Sequence, residues 1–156
     1  YILKQISLDT VIREVIHKYA KIMIRRKIRM HYEKTEATVI SDEKWLSFVL
    51  EQLLSNAVKY TPEGEISIEV QEEPQHIWLE IRDTGIGIRS EDIPRVFEKG
   101  YTGFNGHEDK RSTGIGLYLC REVLQKLGHT IQVQSEVGEG TTVRAGFSKD
   151  AIDFRD

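Results

Sequence analysis

Along the first third of the chain, apolar residues recur at helical spacing. Leu8, Ile12, Val15, Ile16, Tyr19 and Met23 fall on one face, which predicts an amphipathic helix over 8–26. Ser7 or Asp9 can cap it. Ile28 to Tyr32 reads as a strand, and Val39-Ile40 as a short one. Leu46, Leu50, Leu53 and Ala57 repeat the helical spacing over 42–60, with Asp42 at the start and Pro62 just past the end. The period then shortens to two. Ile66, Ile68 and Val70 share one side of 65–72, and Ile77, Leu79 and Ile81 do the same, so these runs predict a hairpin around Glu73-Pro74. Residues 98–113 are polar and glycine-bearing, which reads as a long loop. A third helix is expected over 115–127, stopping at Gly128. Strands at 129–136 and 141–148 meet at Gly138-Glu139-Gly140.

Four of the strands come in hairpins, which excludes a doubly wound βαβ order. The expected class is α+β: a two-layer α/β sandwich, with three main helices on one face of a mostly antiparallel, mixed sheet. Nothing interrupts 8–148, so one domain is expected there. Residues 1–7 read as the end of a preceding linker or helix, and 149–156 as a C-terminal tail.

Composition narrows the function classes. The chain has 156 residues, 39% apolar and 30% charged, as a folded globular domain does. No apolar run approaches the roughly 20 residues that cross a bilayer, and no signal-peptide pattern is present. The chain begins at Tyr1 rather than Met and reads as part of a longer protein. The single Cys120 excludes an internal disulfide framework and a cysteine zinc cluster, and the five histidines show no HExxH spacing. A net charge of −3 argues against nucleic acid as a partner. That charge is uneven: residues 1–34 hold nine Lys/Arg against three acids, and 35–156 hold 13 against 22. The run Arg25-Arg26-Lys27-Ile28-Arg29 reads either as a solvated helix end, where cations suit the dipole, or as a face toward a membrane or an acidic partner.

Three glycine pairs stand at turns: Gly85/Gly87, Gly114/Gly116 and Gly138/Gly140. Each alone is what any tight turn needs. The first follows a buried strand in Ile81-Arg82-Asp83-Thr84-Gly85, where a strand-end carboxylate beside bare backbone can accept a hydrogen bond from a ligand amine. The second opens a helix, where unpaired N–H groups attract phosphate. There is no G-x-x-x-x-G-K-[ST], and no third glycine at dinucleotide-binding spacing. On the second helix, Gln52, Asn56 and Lys59 lie within about 60° of one another at 100° per residue. That strip is either a solvated edge, or a place where Asn56 offers its carbonyl oxygen to a hard cation and Lys59 meets phosphate.

Taken in order, Gln52-Leu-Leu-Ser-Asn56-Ala-Val-Lys59-Tyr60-Thr61, Asp83-Thr-Gly85-Ile-Gly87, Phe97, Thr113-Gly-Ile-Gly116-Leu117 and Gly138-Glu-Gly140-Thr141 resemble the ATP-binding catalytic domain of bacterial sensor histidine kinases, of the Bergerat fold. The stretches 42–52 and 97–106 look like the intramembrane-sensing kinases that respond to bacitracin and related peptide antibiotics. The resemblance implies ATP and Mg²⁺ as cofactors, and transfer of the γ-phosphoryl to a histidine on a separate dimerisation domain. Asn56 would ligate the metal and, with Lys59 on phosphate, carry catalysis. Tyr60 would pack near the adenine and Asp83 would accept from its amino group. Gly85 and Gly87 would let backbone approach the base, with Ile88 and Thr141 beside it. Residues 98–113 would form the ATP lid, with Lys110 or Arg111 reaching phosphate. Ser112, Thr113, Gly114, Ile115, Gly116 and Leu117 would flank the phosphates.

Two departures stand out. The family's first helix asparagine is Gln52 here, which puts its metal contact in doubt. None of His17, His31, His76, His107 and His129 sits in the family's H-E-x-K-T-P context, so the phospho-accepting half is expected elsewhere. The implied partners are that dimerisation domain, a response regulator and an ABC transporter of the peptide-antibiotic resistance type. The implied location is the cytoplasmic side of a bacterial membrane protein. The open alternatives are a nucleotide-binding regulatory module, or an ATPase or serine kinase on the same fold. Hydrolysis needs a water-activating glutamate where Gln52 stands, and Glu51 points about 100° away.

Overall fold

The computed structural model describes residues 1–101 and 116–149. Strand β1 (Leu3–Ser7) runs into helix α1 (Leu8–Arg25), followed by β2 (Ile28–Tyr32), β3 (Thr38–Asp42) and α2 (Glu43–Lys59). Then come β4 (Gly64–Glu72), β5 (His76–Asp83), a single 3₁₀ turn (Ile93–Arg95), α3 (Gly116–Lys126), β6 (Thr130–Glu136) and β7 (Gly140–Ser148).

Both long helices begin where a strand ends in a capping side chain. Ser7 Oγ accepts the Thr10 amide and caps α1, so Ser7 rather than Asp9 is the cap. Asp42 Oδ1 accepts the Trp45 amide at 3.0 Å and caps α2, while its other oxygen accepts the Ile2 amide at 2.6 Å. Residues 3–7 are therefore paired into this domain. β1 pairs antiparallel with β3, Leu3 opposite Asp42 and Ser7 opposite Thr38, and Ile6 is buried in the common core. Five residues alternating too weakly to read as a strand are held by a partner more than 30 positions away.

The main sheet has the order β2-β4-β5-β7-β6, with β2 and β4 parallel and the other pairs antiparallel. The mixed character thus comes from one pair; the two hairpins supply β4–β5 and β6–β7, and the antiparallel β5–β7 pair joins them. Alternation sends Ile66 and Ile68 of β4, and Ile77, Leu79 and Ile81 of β5, to the helical side. There Leu53, Leu54, Ile66, Leu79 and Phe147 are fully buried in one continuous core. On the opposite face the Arg144 guanidinium lies 4.2 Å from the Trp78 ring centroid and 3.7 Å from Glu80. The molecule is the two-layer α+β sandwich that the pattern predicts.

Candidate functional site

The inward row of β5 runs Ile77, Leu79, Ile81, and its next member is Asp83. Alternation therefore carries a carboxylate to the core side of the sheet. Asp83 is only 7% exposed, and burial pushes its carboxyl up to about 6. Two amides oppose that shift: Oδ1 accepts from Gly85 at 2.9 Å and from Thr141 at 3.2 Å. The backbone around it is fixed from two sides. Tyr60, the residue after α2, gives its carbonyl to the Ile86 amide at 3.0 Å. On the other side, Ser135 Oγ accepts the Ile88 amide and donates to the Gly140 carbonyl, both at 2.8 Å, and Gly138 N–H reaches the Ile86 carbonyl at 2.9 Å. Gly140 has φ +132°, and a Cβ there would overlap the Asp83 carbonyl oxygen.

The strip on α2 faces the start of α3. Gln52 Oε1 lies 2.8 Å from where a Cβ on Gly116 would sit, so the longer amide occupies the space that this glycine leaves. Lys59 Nζ stands 5.1 Å from the centroid of the Tyr60 ring.

Residues from both of these regions line one cavity of about 480 Å³. Of the residues expected from sequence, Gln52, Asn56, Lys59, Tyr60, Asp83, Gly87, Ile88, Gly116, Leu117 and Thr141 border it. Gly85 does not. A Cβ at Gly85 would overlap the Tyr60 carbonyl oxygen, so this glycine is needed where the turn packs on the end of α2. Lys110, Arg111, Ser112, Thr113, Gly114 and Ile115, with most of the expected lid, lie outside the described residues. The cavity also takes in Tyr19, Ile22 and Arg26 of the α1 region, and Arg89, Asp92 and Tyr101 beyond the glycine turn. Of these, sequence reasoning brought only Tyr101 to the site, as part of the expected 98–113 lid. Helical spacing holds a signal for the first three: positions 19, 22 and 26 continue the buried face of α1, whereas the run of cations drew Arg26 into a surface reading.

The four described histidines border no part of the cavity. His17 is exposed, His31 pairs with Glu65 at 2.6 Å, His76 stacks on Trp78, and His129 is buried edge-on to Phe147. Glu51 is ion-paired with Lys18 of α1 and is not a cavity residue. Among the described residues no group of three or more His, Cys, Asp or Glu side chains could hold a metal ion. Any cation here would rely on amide oxygens and on a ligand's own charge.

A buried carboxylate, amide and ammonium groups on one helix, and the start of another helix, all around one cavity, suit a nucleotide rather than a small neutral metabolite. Residues 41–151 match the family model described as histidine kinase-, DNA gyrase B- and HSP90-like ATPase. The chain belongs to this family.

Its relatives point to one branch. The chain is 38% identical to the sensor histidine kinase YxdK of Bacillus subtilis (strain 168), over 93% of this chain and 46% of that protein. It is 43% identical to the sensor protein kinase GraS of Staphylococcus aureus (strain JH1), over 73% of this chain and 33% of that protein. The chain therefore spans less than half the length of these curated relatives. Among solved structures, the mycobacterial sensor histidine kinase MprB superposes with a TM-score of 0.83 at 23% identity, covering 93% of this chain and 97% of that one. The catalytic domain of histidine kinase ThkA, in a nucleotide-free form, gives 0.80 at 20% identity, covering 96% and 97%. Both share the fold.

Proposed function

We propose that residues 8–148, with β1 as the entry strand, form the ATP- and Mg²⁺-binding catalytic domain of a two-component sensor histidine kinase. One observation carries this reading. A buried carboxylate, Asp83, and the Gln52–Asn56–Lys59 strip border the same cavity. Asp83 accepts the adenine amino group, and Tyr60 packs beside the base. Lys59 meets phosphate, and the α3 start at Gly116 presents amide N–H groups to it. The amide oxygen of Asn56 suits Mg²⁺, a hard cation that takes oxygen ligands and phosphates. When bound, Mg²⁺ neutralises phosphate charge.

The protein's contribution is positioning and charge. The neutral imidazole of an acceptor histidine attacks the γ-phosphorus. The bond to the β,γ-bridging oxygen breaks and ADP leaves. The acceptor stands on a dimerisation domain outside this chain, and a response regulator takes the phosphoryl group from there. Hydrolysis has no comparable support, because Gln52 cannot act as a base and Glu51 is held by Lys18 away from the cavity. In the same reading the whole protein sits in a bacterial membrane with this domain on the cytoplasmic side, and a peptide-antibiotic transporter is a further partner, which the likeness of 42–52 and 97–106 to the bacitracin-responsive kinases supports.

The test is transfer of labelled phosphate. Incubated with ATP and Mg²⁺, this chain alone stays unlabelled. Mixed with its own histidine domain, it labels that domain slowly, because the two are untethered. Acid-labile label on His17, His31, His76, His107 or His129 overturns the division of labour. ATP turnover with no transfer restores the ATPase reading, and binding with neither leaves the regulatory module.

A further inference from the structure

We propose that Arg26, which borders the cavity, is a positioning residue for base recognition, acting through Thr61 on the Asp83 turn. Arg26 stands at the C-terminal cap of α1, where its N–H donates to the Ile22 carbonyl at 3.0 Å. The next residue, Lys27, has φ +60° and turns the chain into β2. The backbone of Arg26 is thus pinned, and its side chain crosses to the end of α2. There Nη2 donates to the Thr61 carbonyl at 3.4 Å. That carbonyl lies just past the helix, where acceptors lack intrahelical partners and carry the negative end of the dipole.

Thr61 is wholly buried and meets the Asp83 turn directly. Its Oγ1 lies 2.8 Å from the Cβ position of Gly85, and the preceding carbonyl, of Tyr60, holds the Ile86 amide. The turn that aims the carboxylate therefore rests on residues 60 and 61, and Arg26 holds that support through the Thr61 carbonyl. A cation read from sequence as surface charge becomes part of the mounting of the base site.

This inference rests on the adenine reading of Asp83. ADP, GDP and tripolyphosphate are titrated by calorimetry into wild type, Arg26→Gln and Arg26→Lys, with thermal midpoints recorded for each. GDP lacks the 6-amino donor, and tripolyphosphate lacks the base. Arg26→Gln is expected to weaken ADP roughly tenfold, the size of one charge-assisted hydrogen bond, to narrow the preference for ADP over GDP, and to leave tripolyphosphate unchanged. Arg26→Lys, which can still donate to Thr61, restores most of the ADP affinity. Unchanged ADP affinity and preference in folded Arg26→Gln overturn the proposal. An equal loss for all three ligands also overturns it, since that marks direct phosphate contact. Arg26→Met keeps the packed stem without the donor and carries the same test if the glutamine variant does not fold. A wild-type chain that shows no ADP preference overturns the function reading. Wild-type preference with an indifferent Arg26 overturns this inference alone.

Discussion

In the proposed reading, the base and phosphate ends of the cavity are built by different means. At the base end, Asp83 is fixed by backbone: amides of Gly85 and Thr141 on its oxygen, the Tyr60 carbonyl under the turn, and the β6–β7 turn against it. At the phosphate end, Gln52, Asn56 and Lys59 are side chains on one helix facing the start of another. Backbone hydrogen bonds leave no rotamers to choose among, so the base end is set once the sheet forms. Side chains on a helix surface can change rotamer, so the phosphate end can adapt to its ligand. One end supplies fixed recognition and the other adjustable charge.

The sharpest way to break that contrast is to substitute glycines at each end. Gly140→Ala at the base end combines a positive φ with overlap of the Asp83 carbonyl. It should cost about 3 kcal/mol, read from chemical denaturation, because no side chain can move aside. A loss below about 1 kcal/mol would show that the base end yields as easily as the phosphate end.

Asp83→Asn comes next. ADP affinity measured by calorimetry should fall roughly a hundredfold, since the amide can turn a donor toward the adenine amine and a bond to a charged group is lost. Unchanged affinity would remove the base assignment. The same variant tests the raised carboxyl. With a folded-state pKa of about 6 against an ordinary value of 3.8, Asp83 adds stability that is fully present below about 4 and lost as pH rises through 6. His129 works in the opposite sense. Burial lowers it to about 4, so its contribution is present above 6.5 and lost as pH falls through 4. The difference between wild type and Asp83→Asn isolates the first from the second. Stability of the nucleotide-free variant relative to wild type should rise between pH 4 and 7, and a flat difference would show that burial leaves the carboxylate unperturbed.

At the phosphate end the effects are smaller. Asn56→Ala should reduce Mg²⁺-dependent ATP affinity about tenfold while adenosine binding stays as it was, separating metal from base. Equal loss of both would mean that Asn56 supports the whole cleft. Gly116→Ala should change stability by less than about 1 kcal/mol, because the crowded atom is the end of the Gln52 side chain, 2.8 Å away, and it can swing aside. Pairing Gly116→Ala with Gln52→Asn, which shortens that side chain, should remove what cost remains.

Much of this was legible in the chain. Periods of 3.6 and 2 gave the three helices, the two hairpins and the core rows, because burial on one face imposes its spacing on the sequence whatever the partner. Asp83 was legible because it breaks a buried β row, and Gln52, Asn56 and Lys59 because they share one side of a helix. The place of β1 was not legible. A short edge strand is stabilised by pairing with distant residues, here Thr38–Asp42, and local pattern carries little trace of that. The same holds for Gly85, whose role is set by the carbonyl of Tyr60, and for Arg26, which sequence shows as one cation in a basic run. Periodicity records which face of an element is buried. Only the tertiary structure decides which two elements meet there, because that depends on distances between residues that the chain keeps far apart.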